Sequence, residues 1–169
     1  AVQAMAKEGV SYKGVLYAGL MIVDGEAVVL EFNARFGDPE TQVILPLLET
    51  DLVDIFMAVV EGNLDRVKIE WSSDACVGVV AASAGYPGNY KTGFPIRGID
   101  NVDKDVLVFH AGTRLGDDGI ICTDGGRVLT VAGTGKDMVE AREKVYYNIP
   151  NIYFEGCFYL KDIALREVV

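Results

Sequence analysis

Two apolar runs, Gly14–Val23 (GVLYAGLMIV) and Glu26–Phe36 (EAVVLEFNARF), are separated only by the dipeptide Asp24-Gly25. Both runs are strand-like, and Asp-Gly between such runs is a strong β-hairpin signal. This feature commits the N-terminal part of the chain to antiparallel pairing. The second run leaves its apolar section through a dense polar cluster, EFNARFGDPE, at residues 31–40. Strand alternation would place Glu31, Asn33 and Arg35 on one face and send Phe32, Ala34 and Phe36 the other way, into a core.

Beyond the cluster, Asp38 has the character of a helix N-cap, with Pro39 at the first helical position and Glu40 in the first turn. Pro46 should end or kink that helix. A second helix is expected from about Asp51 to Glu61, with Leu52, Ile55, Phe56, Val59 and Val60 on its apolar face and Gly62 as its stop. Around residues 66–74 the pattern changes to short β-rich segments: Cys76–Ser83, Val106–Ala111, Ile120–Thr123 and Arg127–Ala132. One helix is expected over about Lys136–Asn148, before a last β-like stretch near Asn151–Leu160. The fold class is therefore α+β, with a boundary near residue 72 separating residues 1–72 from a small β-rich domain at 73–169.

Composition narrows the functional classes. Half of the 169 residues are hydrophobic, ample for a core, and no apolar run reaches the ~20 residues of a membrane span. Ala1–Gly9 lacks the long apolar stretch of a signal peptide. A formal net charge of −10 argues against a nucleic-acid partner. It leaves ATP open, because a divalent cation can bridge carboxylates to phosphates. Three well-separated cysteines without a CxxC suit free thiols in a cytoplasmic setting. The single histidine, His110, excludes any mechanism that needs two. The non-Met start and the helical character of Ala1–Lys7 suggest a fragment of a longer chain.

Residues two apart on a strand have Cα atoms about 7 Å apart. Side chains from both can converge on one cation with ligands at about 2.0–2.1 Å. A carboxylate plus an amide oxygen is a partial Mg²⁺ shell, the remainder coming from water and substrate phosphates. An arginine two residues on could reach a phosphoryl group. The bland alternative is the solvated face of an amphipathic strand followed by an ordinary helix start.

The longer pattern resembles a known family. GVLYAGLM, the Asp-Gly turn, VLEFNARFGDPETQ and VILPLLETDL are similar to the ATP-grasp portion of the glycinamide ribonucleotide synthetases (phosphoribosylamine–glycine ligases). GYPGNY, FHAGT, GGRVLTV and a KDI segment continue the likeness along nearly the whole chain. The resemblance implies that ATP phosphorylates glycine and that 5-phosphoribosylamine attacks the acyl phosphate, a step of purine synthesis. It implies Glu31 and Asn33 as ligands of Mg²⁺ (or Mn²⁺), and Arg35 as a phosphate or acyl-phosphate contact. Asp38 would hold the glycine ammonium or merely cap a helix, and the RFGDPE loop would border the substrate pocket.

The family likeness also implies that the N-terminal substrate domain and most of the nucleotide lid lie outside this chain. The chain alone should then lack ligase activity and bind ATP weakly. Two departures from the pattern stand out. An acidic metal ligand carried by many ATP-grasp enzymes on the preceding strand is Gly19 here. The family's closing Arg-Lys-Asp-(Ile/Val)-Gly is Leu160-Lys161-Asp162-Ile163-Ala164.

The hairpin register has two solutions. A two-residue loop would put Leu16, Ala18 and Leu20 on the Glu31 face. A three-residue loop with a bulge would put Tyr17, Gly19 and Met21 there. The superfamily places an apolar side chain near Met21 against adenine, which favours the second. His110 reads as a structural residue, Tyr86-Pro87-Gly88 as a turn, Gly125-Gly126 as a hairpin turn or phosphate loop, and Lys136-Asp137 as a helix start. Alternative functions are another ATP-grasp carboxylate–amine ligase, or a non-catalytic binding module that keeps the fold.

Overall fold

In the computed structural model, which describes residues 1–168, Asp24 and Gly25 have φ of 52° and 84°. Two consecutive positive φ values make the tight two-residue turn whose twist matches a hairpin. Strand β1 (Tyr17–Val23) pairs antiparallel with β2 (Glu26–Asn33) through that turn. The expected three-residue loop is therefore corrected to two. The bulge exists, but it lies inside the hairpin: Leu20 pairs with Val29 while Gly19 pairs with Glu31, leaving Leu30 as the extra residue. Its effect is to bring Tyr17 and Gly19 opposite Asn33 and Glu31.

The chain divides into two compact units: Ala1–Thr41 with Leu48–Ser72, and Gln42–Leu47 with the residues from Ser73 onward. Val169, the last residue of the expected second domain, lies outside the described residues. The first unit holds helix α1 (Val2–Lys7), the hairpin and helix α3 (Leu52–Glu61), which the short helix α2 (Thr41–Ile44) precedes in the chain. Asp51 caps α3 by accepting from the Val53 amide at 2.7 Å, and Gly62 ends it in the left-handed region at φ 77°. The apolar face expected for α3 is corrected in part. Leu52, Ile55 and Val59 are half-buried and Ala58 is buried, but Phe56 and Val60 are exposed.

Among the described residues of the first unit only Gly37 and Ala58 are buried. Leu20, Met21, Ile22, Val28, Val29, Leu30 and Phe32 are all about half exposed or more. The expectation that Phe32 and Ala34 enter a core is thus corrected. Among the described residues no helix or sheet packs broadly on this two-stranded ribbon, and two strands alone cannot bury either face.

The second unit has a built core. Four antiparallel strands lie in the order β4 (Val106–His110), β7 (Arg127–Gly135), β3 (Ala75–Ser83), β8 (Cys157–Phe158). A separate ribbon pairs β5 (Thr113–Leu115) with β6 (Ile121–Thr123). Helix α4 (Met138–Asn148), capped by Asp137 accepting from the Glu140 amide, packs on β7 and β3. In central strand β7, Val128, Leu129, Val131 and Ala132 are fully buried, so both its faces are covered. One face meets Ala141 and Val145 of α4, on which Gly135 and Gly133 close directly.

The other face meets Gln42–Leu47. A Cβ on Gly78 of β3 would stand 2.6 Å from Val43 Cγ1 and 3.5 Å from Thr130 Cγ2. Glycine at 78 is what lets this segment lie against the sheet. Gly78→Val should overpack that contact and cost about 1–3 kcal/mol, read as a lowered urea midpoint with an unchanged slope.

The end of the chain is tied to α4. Arg142 donates to the carbonyls of Ile163 (2.9 Å) and Lys161 (2.8 Å), and the Tyr146 hydroxyl donates to the Leu160 carbonyl. Ala164 is held at φ 57°, where a Cβ is strained. This is the position at which the resemblance called for glycine. Ala164→Gly is expected to raise stability by about 0.5–1 kcal/mol, the strain relieved exceeding the added unfolded-chain entropy. A thermal melt that moves down would contradict this.

Candidate active site

Strand β2 delivers Glu31 and Asn33 to one face, and their side chains meet: Asn33 Nδ2 donates to Glu31 Oε1 at 2.8 Å. Across the ribbon, a Cβ on Gly19 would lie 3.1 Å from Glu31 Cγ. The missing acidic residue at 19 and the room around Glu31 are thus one fact, since a side chain at 19 would have to displace the Glu31 stem. By alternation along β1, Met21 shares the face of Gly19 and Tyr17, and it is 50% exposed.

The donor set fits a hard divalent cation in part. Rotation of the Asn33 amide presents Oδ1 beside a Glu31 oxygen on an open face. Among the described residues no group of three His, Cys, Asp or Glu side chains could hold a metal ion. The pair therefore suits an ion that keeps water and phosphate ligands rather than one enclosed by protein.

Arg35 is not carried by the same alternation, because β2 ends at Asn33. Its guanidinium Nη1 instead donates to the Phe36 carbonyl at 2.7 Å. Asp38 is half-buried in a turn, and the Asp38–Pro39 bond is cis. The expected N-cap role is corrected: the helix begins only at Thr41, whose amide and hydroxyl both turn back to the Gly37 carbonyl. Asp38 and Pro39 therefore belong to the turn and not to the first helical positions.

Two residues with structural roles at this turn escape the sequence patterns. The Tyr17 hydroxyl donates to Glu40 Oε1 at 3.1 Å. That bond, burial and the charges of Glu40 and Glu31 push the Tyr17 hydroxyl pKa above its ordinary value, so it remains a donor. Gly37 is buried, and a Cβ there would sit 2.2 Å from Glu40 Oε2. The only available sequence signal was that Tyr17 lies two residues from Gly19 on the same strand face.

In the second unit, the His110 ring Nδ1 pairs with Thr113 Oγ1 at 3.0 Å, a structural partner. Gly125-Gly126 is not a hairpin turn, since β6 pairs with β5 while β7 enters the larger sheet. The glycines admit neighbours: a Cβ on Gly126 would stand 2.2 Å from the Tyr86 ring, and one on Gly125 would stand 2.9 Å from Gly112 Cα. A cavity of about 370 Å³ is lined by Asn89 and Tyr90 of the GYPGNY motif together with Lys91, Phe94 and Glu155, and none of Met21, Glu31, Asn33, Arg35 or Asp38 lines it.

Two family models match. One, described as the C domain of phosphoribosylglycinamide synthetase, covers residues 76–166; the other, its ATP-grasp (A) domain, covers residues 1–41. The chain is 56% identical over 163 residues to the phosphoribosylamine–glycine ligase of Caldanaerobacter subterraneus subsp. tengcongensis, covering 96% of this chain and 39% of the relative. It is 47% identical to that of Escherichia coli O157:H7, covering 99% and 39%. The crystal structure of the Thermotoga maritima phosphoribosylamine–glycine ligase superposes with a TM-score of 0.82 at 39% identity, over 96% of this chain and 40% of that one. The biotin carboxylase subunit of pyruvate carboxylase shares the fold at 15% identity, with a TM-score of 0.59 over 93% of this chain and 35% of that one. The chain thus spans about two-fifths of the length of its ligase relatives.

Proposed function

Because this chain belongs to the phosphoribosylglycinamide synthetase family, we propose that it is the C-terminal part of an ATP-dependent ligase joining glycine to 5-phosphoribosylamine. Residues 1–72 would be the last segment of its ATP-grasp domain and residues 73–169 its C-terminal domain. The products would be glycinamide ribonucleotide, ADP and phosphate, formed in the cytoplasm. The observation that carries the reading is the Glu31–Asn33 pair, side by side on an open face just before the RFGDPE turn.

Glu31 and Asn33 would hold Mg²⁺ or Mn²⁺, which when bound neutralises charge on the phosphates of ATP. Met21 offers an apolar contact on the same face, suited to the adenine ring. Arg35, released from the Phe36 carbonyl, supplies a guanidinium fork for the transferring phosphoryl or acyl-phosphate oxygens. Asp38 supplies a carboxylate for the glycine ammonium. Positioning and electrostatics of this kind suffice for phosphoryl transfer, which asks little covalent work of the protein.

The test is ADP release by the full-length protein that contains this segment. Release should require both glycine and 5-phosphoribosylamine, with glycinamide ribonucleotide formed in equal amount. ADP release that requires a different carboxylate or amine would overturn the assignment.

A further inference from the structure

The bond between Tyr17 and Glu40 joins two parts of the site that the sequence leaves separate. Tyr17 stands opposite Asn33 on β1, and Glu40 closes the turn that carries Asp38. The Tyr17 hydroxyl donates to Glu40 Oε1 at 3.1 Å, spanning 23 residues of sequence. The other Glu40 oxygen fills the space that a Gly37 side chain would need. Thr41 closes the turn by donating to the Gly37 carbonyl from both its amide and its hydroxyl. On the far side of Arg35, the Phe36 ring packs against Phe56 of α3 with centroids 6.4 Å apart.

The turn is therefore fixed at its base by Phe36 and Thr41. Across the ribbon, the Tyr17–Glu40 bond ties it to the strand that faces Glu31 and Asn33. We propose that Tyr17 and Glu40 are positioning residues, forming a strut that holds the Asp38 turn against the metal-binding strand and so sets the affinity for the amino-acid substrate. This rests on the ligase reading above. Neither side chain need touch a substrate. A hydroxyl donating to a carboxylate is a charge-assisted pairing, worth about tenfold when its consequence is expressed in binding.

Three measurements on the full-length ligase separate the possibilities. Tyr17→Phe removes only the hydroxyl. It should raise the KM for glycine about tenfold while leaving kcat and the KM for ATP within about threefold. Glu40→Ala should match it, the conservative Glu40→Gln should keep most of the wild-type affinity through its amide oxygen, and Tyr17→Phe/Glu40→Ala should be no worse than either single change. Amide hydrogen exchange over residues 36–41 should quicken in Tyr17→Phe.

Unchanged exchange would overturn the strut. Quickened exchange with an unaltered KM for glycine would overturn its role, as would a double variant with multiplicative losses. If Tyr17→Phe does not fold, the Glu40→Gln and Glu40→Ala pair decides: equal damage from both overturns the proposal. Glu31→Ala run in parallel tests the underlying reading alone, because full turnover there would sink the site assignment while leaving the exchange result intact.

Discussion

Glu31→Ala in the full-length ligase should lower kcat by about 10²–10³-fold while leaving the fold unchanged. The two halves of that expectation have separate causes. Glu31 is exposed, and its one side-chain hydrogen bond is to Asn33, also a surface partner. Removing it deletes no core contact, so the change in stability should stay within about 0.5 kcal/mol. Activity falls because Asn33 alone is a poor anchor for a divalent cation, and Gly19 offers no second carboxylate across the ribbon. Glu31→Gln should be milder, since an amide still presents one oxygen. Raising Mg²⁺ should restore part of the activity of either variant. Steady-state kinetics with circular dichroism melts would check this; wild-type turnover in Glu31→Ala would remove the metal assignment.

The largest expected effect on stability lies in the second unit. Phe154 is fully buried within the cluster that includes Val79, Leu129, Val131 and Val145. Phe154→Ala removes a ring from a close-packed site and should cost about 3–5 kcal/mol. For a domain with about 5–15 kcal/mol in total, that is a large fraction of its stability. Its neighbour Tyr153 is 63% exposed, and only its backbone pairs, with Arg97. Tyr153→Ala should therefore change stability by less than about 1 kcal/mol. Urea titrations of the pair would show whether burial governs, and equal midpoints for the two variants would contradict the packing described.

What could be read from the chain follows the range of the forces involved. The hairpin was legible because Asp24 and Gly25 are suited to positive φ, a property of two residues, but the length of its loop was not. The caps of α3 and α4 were legible for the same reason: Asp51, Gly62 and Asp137 act within one turn. The bulge at Leu30 was not, because nothing in the local pattern says where an extra residue will be absorbed. It nevertheless decides which side chains face Glu31. The end of β2 at Asn33 was also hidden, and it removed Arg35 from the alternating series. Strand β5 was hidden because Thr113-Arg114-Leu115, set between Gly112 and Gly116, carries no apolar run, unlike the equally short β6. The helix expected at Asp38 failed because Pro39 and Glu40 fit a helix start by type. Their actual conformation answers to Tyr17, distant in sequence. Gly19 and Gly78 share that lesson, each closely approached by a side chain brought in from elsewhere in the chain.

The assignment of Gln42–Leu47 to the second unit changes what a cut at residue 72 would produce. A chain begun at Ser73 would contain every strand of the larger sheet, yet one face of β3 would lose its cover at Gly78. Conversely, the turn bearing Asp38 runs directly into a segment secured by the most buried sheet in the molecule. Its C-terminal edge should share the slow hydrogen exchange of that sheet, while the exposed hairpin that precedes it should exchange faster. The proposed substrate turn thus lies beside a step in local stability, between an exposed hairpin and a buried sheet.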